Sequence, residues 1–217
     1  MNPSDKPNLP DLRVSYDMDE LVEGSLPSDP LELFNAWLND AFENGVKEPN
    51  AMCLSTIGLD GTPRGRTVLL KGLDERGFHF YTNYHSQKGR EIAANSRAAA
   101  TFLWRERHHQ VSVRGLVLKL SEADADAYFS SRPYGHQIGA WVSDQSIVIP
   151  DREWLENREA EVRARYPEGQ VPRPPHWGGY TLQPDEIEFW QGRVSRLHDR
   201  ILYTEERGKW VRRRLSP

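Results

Sequence analysis

A single cysteine, Cys53, stands in 217 residues, so no intrachain disulfide can form and a disulfide-stapled secreted scaffold is excluded. Within the apolar run "AMCLSTI" it is expected to be a buried, inert thiol. No hydrophobic run approaches membrane-spanning length, and the opening "MNPSDKPNLPDL" lacks the apolar centre of a signal peptide. The expectation is a cytoplasmic chain without a membrane partner. Excess charge is also scarce. A net charge of −4 gives no reason to expect nucleic acid as the partner, and "RGKWVRRR" (207–214) reads as a solvated edge strand or a subunit contact. There is no G-x-G-x-x-G, no Walker loop, no H-E-x-x-H and no Gly-x-Ser-x-Gly elbow. His108 and His109 have no carboxylate or cysteine at ligand spacing, so no metal is expected.

What is present, 37% hydrophobic and 28% charged residues, suits a soluble globular protein with a real core. Residues 1–24 read as a loose arm or lid, with a short helix over "RVSYDMDELVEG" ended by Gly24, and 25–217 as one domain. Ser28 and Pro30 open a helix whose apolar face is Leu33, Phe34, Trp37, Leu38, Ala41 and Phe42. Strands follow at "AMCLSTIG" and "PRGRTVLLKGL", joined by the Asp-Gly turn of "LDGT", and then at "FHFYTN". A helix over "SQKGREIAANS" precedes strands "AAATFLWRE" and "HQVSVRGLVLKL". Ser121 with Asp124 caps the helix "SEADADAYFSSR", and another runs over "DREWLENREAEVRARY". The Pro-rich "PEGQVPRPPH" is a covering loop. Strands return at "GGYTLQ", "EIEFWQG", "RLHDRILYT" and "KWVRRRL". The pattern is mainly β with helices (α+β): an antiparallel, Greek-key-like barrel with peripheral helices.

Chemistry concentrates in a few stretches. With Val194 to Tyr203 extended, Arg196, His198 and Arg200 share one strand face. Such a face either holds an anion, at about 1.5–3 kcal/mol per charge-assisted bond, or is an edge strand paired with Glu186, Glu188 or Asp199. In "YTNYHSQKGRE" a strand ends at Thr82 and a helix begins near Ser86. Hydroxyls of Thr82 and Ser86, the Lys88 ammonium and free helix N–H groups can converge on one phosphate there, and this is compatible with simple capping by Ser86. "RTVLLK" delivers Lys71 near a strand end. "YFSSRPYGHQIGAWVSDQS" adds Tyr128, Arg132, His136, Gln145 and Ser146 around glycines. Two separate basic clusters suggest a ligand with two phosphates or two phosphorylated ligands. Trp141, Trp177 and Trp190 suit an aromatic ligand's walls or ordinary core packing.

In order, "RTVLLKG", "FYTN", "SQKG", "YFSSRP", "QIGAWVSDQS", "WGGY", "IEFWQG" and "RLHDR" resemble the pyridoxamine 5′-phosphate oxidase family from about Leu12 to the C-terminus. The resemblance implies a split β-barrel whose homodimer binds two FMN at its interface. FMN is implied to lie against Arg66, Thr67, Val68, Leu69, Leu70, Lys71, Tyr81, Thr82, Gln87, Lys88 and Gln110 of one subunit, with Gln145, Ser146, Trp190 and Arg200 from the other. Substrate is implied at Lys71, Tyr128, Arg132, His136, Arg196, Leu197 and His198, under a lid containing Arg13 and Tyr16, with Arg196 and His198 nearest the chemistry. The implied reaction converts pyridoxamine 5′-phosphate and pyridoxine 5′-phosphate to pyridoxal 5′-phosphate while O2 becomes H2O2. Two departures stand out: Gln87 replaces the family's usual Arg, and His136 its usual Ser. The alternatives are a non-catalytic flavin- or B6-vitamer-binding split barrel and a pyridoxal-phosphate enzyme with a Schiff base at Lys71.

Overall fold

The computed structural model describes residues 15–217. Helices are α1 (Pro30–Glu43), α2 (Gln87–Ala94), α3 (Glu122–Ser131), α4 (Tyr134–Val142) and α5 (Arg152–Arg165). Strands are β1 (Ala51–Ile57), β2 (Pro63–Leu69), β3 (Gly72–Asp74), β4 (Gly77–Asn83), β5 (Arg97–Trp104), β6 (His109–Lys119), β7 (Trp177–Gln191), β8 (Asp199–Glu206) and β9 (Lys209–Leu215). The chain forms two compact units. One contains the residues up to Pro49 with Leu103–Val111 and Ile187–Pro217, and the other Asn50–Phe102 with Ser112–Glu186.

In the second unit the strand order is β2-β1-β5-β6-β7-β4-β3. β1 pairs antiparallel with β2 (Leu54 opposite Arg66) and β4 with β7 (Tyr81 opposite Gly179). Asp60 closes the predicted Asp-Gly turn by accepting the Thr62 N–H at 3.0 Å. Met52, Leu54, Phe78, Phe80, Phe102, Phe129 and Leu182 form the core. Each such side chain withdrawn from water contributes roughly 1.5–3 kcal/mol. Cys53 is exposed, correcting the expected burial. The alternation of β1 turns Met52 and Leu54 inward and the thiol outward. Helix α2 begins at Ser86, whose Oγ accepts the Gly89 N–H. Gly89 has to be glycine, because a Cβ there would lie 2.1 Å from the Tyr84 carbonyl oxygen.

In the first unit α1 starts one residue later than the Ser28 cap predicts. Asp29 accepts the Leu31 N–H at 2.9 Å, ahead of Pro30. Leu33, Phe34, Trp37 and Ala41 are buried, whereas Phe42 is 73% exposed and leaves the predicted apolar stripe. Instead of the predicted helix before Gly24, a 3-10 turn spans Glu23–Ser25. Phe189, Ile201 and Tyr203 complete this core, with the Tyr203 hydroxyl donating to Pro27 O at 2.8 Å. β8 pairs with β9, Arg200 opposite Leu215. "GGYTLQ" and "EIEFWQG" are one strand, β7, rather than two. No helix among the described residues is long and apolar enough to cross a membrane.

Candidate active site

The second unit contains a cavity of about 810 Å³. β2 supplies Arg66 to Leu69, the chain after it Lys71, and the end of β4 Tyr81 to Asn83. The start of α2 adds Gln87 and Lys88, the end of α3 Tyr128 and Arg132, and Gln145, Ser146 and Trp177 close the ring. A further wall comes from α4, where Gly135, His136, Gly139 and Ala140 face the cavity, followed by Ser143 just past its end. The helical signal of this segment is weak in the sequence, because no side chain caps it and two glycines interrupt its apolar pattern. The available signal was the i, i+4 spacing of Gly135 and Gly139, which puts both on one helical face.

Two places in this cavity carry a cation with no acidic partner. Lys88 is only 8% exposed, and its Nζ donates to Thr82 Oγ1 at 3.2 Å and Gln145 Oε1 at 3.0 Å. No carboxylate pairs with it among the described residues. Burial, then the nearby Arg66 guanidinium, pushes Lys88 below the ordinary lysine value. Ser146 Oγ accepts the Gln87 N–H at 3.2 Å, so donors from two segments gather at the α2 N-terminus. Gln145 and Ser146, which the resemblance assigns to the other subunit, thus meet Lys88 and Gln87 of their own chain.

The second place is Arg132. Its guanidinium carbon lies 4.6 Å from the Trp177 ring centroid, and its Nη1 is buried without a hydrogen-bond partner among the described residues. Burial lowers the pKa of Arg132 and raises those of Tyr81 and Tyr128. Those two tyrosines stack at 3.9 Å, with Trp177 parallel at 5.6 Å from Tyr81, as a flat aromatic wall. An unmatched donor on a half-buried cation costs free energy unless an acceptor arrives. This cavity is built for anions.

Arg66 is different, because its Nη2 pairs with the buried Glu91 at 2.8 Å and its Nη1 contacts Thr56 and Leu54 O. Leu70 is buried and is not among the cavity-lining residues.

The remaining predicted residues belong to the first unit. Val194–Arg196 is a 3-10 turn in which Ser195 (φ 55°) and Arg196 (φ 61°) are left-handed, and β8 begins only at Asp199. Arg196, His198 and Arg200 therefore do not share a strand face, which corrects the extended reading. Left-handed non-glycine residues of this kind cost of order 1 kcal/mol each. Arg200 takes the edge-strand alternative, with its Nε 2.7 Å from Glu188 Oε1. The Arg193 N–H donates to His198 Nδ1 at 3.0 Å, so the neutral ring carries its proton on Nε2. Burial, then Arg196, lowers the His198 pKa. Trp190 lies 4.5 Å from His198, and Tyr16 packs edge-on against both and against His108. Gly192 makes room, since a Cβ would meet the Tyr16 ring at 2.8 Å. Gln110 is half-buried on β6. Arg13 lies outside the described residues. His109 stacks on Trp37 at 3.8 Å, and no metal-ligating cluster occurs among the described residues.

Comparison with known proteins accords with this geometry. Residues 38–166 match the family model for pyridoxamine 5′-phosphate oxidase, and 177–217 match the pyridoxine 5′-phosphate oxidase C-terminal dimerisation region. The pyridoxine/pyridoxamine 5′-phosphate oxidase of Microcystis aeruginosa is 50% identical over 97% of this chain and 99% of that protein. The protein of the same name from Cupriavidus pinatubonensis is 51% identical over 96% and 99%. Among solved structures, PhzG from Burkholderia lata, in complex with tetrahydrophenazine-1-carboxylic acid, matches with a TM-score of 0.86 at 34% identity, over 93% of this chain and all of that one. A pyridoxamine 5′-phosphate oxidase-related FMN-binding protein from Nostoc punctiforme (TM-score 0.71, 17% identity, 88% of this chain and all of that one) shares the fold. Fold and cavity define an FMN-binding split-barrel flavoprotein of the oxidoreductase class. The chain belongs to the pyridoxamine 5′-phosphate oxidase family. FMN is its cofactor, and the residues present fit it: a buried ammonium without a carboxylate, hydroxyl and amide groups at a helix start, and stacked aromatic rings.

Proposed function

We propose that the protein oxidises pyridoxamine 5′-phosphate and pyridoxine 5′-phosphate to pyridoxal 5′-phosphate in the cytoplasm. The observation that carries this reading is one cavity with two cationic positions, Lys88 and Arg132, neither matched by an acid. FMN and the vitamer bring one phosphate each. Pyridoxine phosphate and O2 give pyridoxal phosphate and H2O2; pyridoxamine phosphate also consumes water and releases ammonia. Bound FMN supplies the two-electron acceptor that O2 reoxidises.

The protein's part is placement and charge. Lys88, Thr82, Gln87, Gln145, Ser146 and Arg66 hold the flavin phosphate, while β2 from Thr67 to Leu69 runs alongside the ring. Lys71, Tyr128, Arg132 and His136 hold the substrate phosphate. The partner subunit of a homodimer, with FMN at the shared interface, completes each site: Trp190 and Arg200 serve the flavin, and Arg196, Leu197 and His198 orient the substrate. Because His198 accepts from the Arg193 N–H through Nδ1, it offers substrate a donor at Nε2 rather than a base there. Arg13 and Tyr16 close over the substrate.

The match to PhzG favours a second reading, oxidation of a reduced tricyclic carboxylate. Aerobic incubation with each vitamer and with tetrahydrophenazine-1-carboxylic acid, following peroxide and the flavin spectrum together, separates the two. Peroxide with the vitamers supports the proposal. Peroxide with the tricycle alone gives the second reading, and none with any substrate leaves a flavin- or vitamer-binding protein without oxidase activity.

A further inference from the structure

Beneath the cavity lies a buried carboxylate to which neither the sequence motifs nor the proposed reaction gives a role. Glu91, on α2, is 2% exposed. Its Oε2 accepts from Thr56 Oγ1 at 2.5 Å and pairs with Arg66 Nη2 at 2.8 Å, while Oε1 lies 3.6 Å from Arg64 Nε. Burial pushes its pKa up, but hydrogen bonds from Thr56, Arg66 and Gln87 and the Arg66 charge outweigh it and lower the pKa, so it is ionised at neutral pH. Lys88 precedes it by three residues, about one helical turn. Arg66 and Lys88 repel one another, and Glu91 attracts both.

We propose that Glu91 is a positioning and charge-setting residue of the flavin phosphate site: it anchors Arg66 and cancels one of the two positive charges that Arg66 and Lys88 present. This rests on the flavin reading of the cavity. The pair leaves a site of about one net positive charge for a phosphate that is close to a dianion at neutral pH. Neither Gln87 nor Gln145 adds a second. The consequence is a flavin held more loosely than the count of cations suggests. Glu91 thereby trades flavin affinity for a buried arginine kept in one orientation.

The test compares FMN with riboflavin, which has the same ring but no phosphate, by flavin fluorescence titration of the apoprotein. Glu91→Gln keeps an acceptor for Thr56 and Arg66 and removes the charge. Expected is FMN binding tighter by at least about fivefold, with riboflavin unchanged, since a unit charge about a helical turn away is worth that or more even after solvent screening across the open cavity. A residue that merely supports the fold would show the reverse, since its replacement loosens both flavins. Weaker FMN binding, no change, or a change shared by riboflavin overturns the proposal. Gln87, whose side chain hydrogen-bonds Glu91, offers a second variant: Gln87→Lys adds a charge at a half-buried position and leaves the Glu91 carboxylate in place, so it decides the matter if Glu91→Gln does not fold. A comparable FMN-specific gain supports the proposal, and no gain overturns it. Should the unaltered protein bind FMN no better than riboflavin, the flavin reading of the cavity fails, and the role of Glu91 with it.

Discussion

Two groups of cations in this molecule look alike in the sequence and behave oppositely in the fold. Around β8 and β9 most of the arginines are matched by acids, while Arg212 donates to the Leu26 carbonyl. Arg193 pairs with Glu20 at 3.2 Å, Arg200 with Glu188 at 2.7 Å, Arg213 with Glu206 at 2.7 Å, and Arg214 with Glu23 and Asp199. In the cavity of the second unit, Lys88 and Arg132 are partly or fully buried and meet hydroxyls, amides and aromatic faces instead. A matched arginine has spent its donors, whereas an unmatched buried one is stable only if something else supplies the counter-charge. Basic residues alone therefore mark neither site; the shortage of acids around them does.

Four measurements test that contrast, from the largest expected effect to the smallest. The first concerns a buried histidine of the first unit, at which burial outweighs the attraction of Asp40. Burial pushes His109 down to about 4. Its folded pKa lies below the unfolded one, so the unfolded chain binds the proton first, and stability is lost as pH falls from about 6.5 to about 4. The loss is about 3 kcal/mol, and urea unfolding at pH 7 and pH 4 should show it removed in His109→Phe. A variant that keeps the full acid sensitivity would assign it to other groups.

Next, Lys88→Met should weaken FMN binding about a hundredfold, in line with a charged hydrogen-bonding group worth 1.5–3 kcal/mol. The apoprotein should become more stable at the same time, since an unmatched buried charge has gone. Gel filtration with absorbance at the flavin band, beside thermal unfolding of the apoprotein, reads both. Loss of flavin and of stability together would put Lys88 among ordinary structural residues.

Third, Arg132→Gln should lower kcat/KM for the phosphorylated vitamers by about thirtyfold and leave the flavin in place. Coupled loss of flavin would merge the two anion positions into one. The smallest effect belongs to the matched group: Arg213→Gln, which breaks a pair with both partners about half exposed, should change unfolding stability by about 0.5 kcal/mol or less. A large change there would undo the contrast from the other side.

Much of this was legible in the chain. Alternating apolar residues set the strands of β1, β4 and β6, and Ser86 and Ser121 opened their helices as predicted, because capping and period are local chemistry. The cavity residues from Arg66 to Trp177 were named in advance largely through family motifs, and the fold brings most of them together. Local reading failed where tertiary context prevailed. α4 carries weak helical signals and stands as a cavity wall, the Arg196 turn adopts a left-handed backbone, and Cys53 faces outward from an apolar run.

By itself the sequence determined the class of fold, the absence of disulfides and the supply of cations, since composition, period and caps act within a few residues. Which cations were left unmatched only the tertiary structure decided. That depends on acids distant along the chain, such as Glu91 for Arg66 and Glu188 for Arg200. Charge pairing follows distance in space, and distance in space is what folding sets.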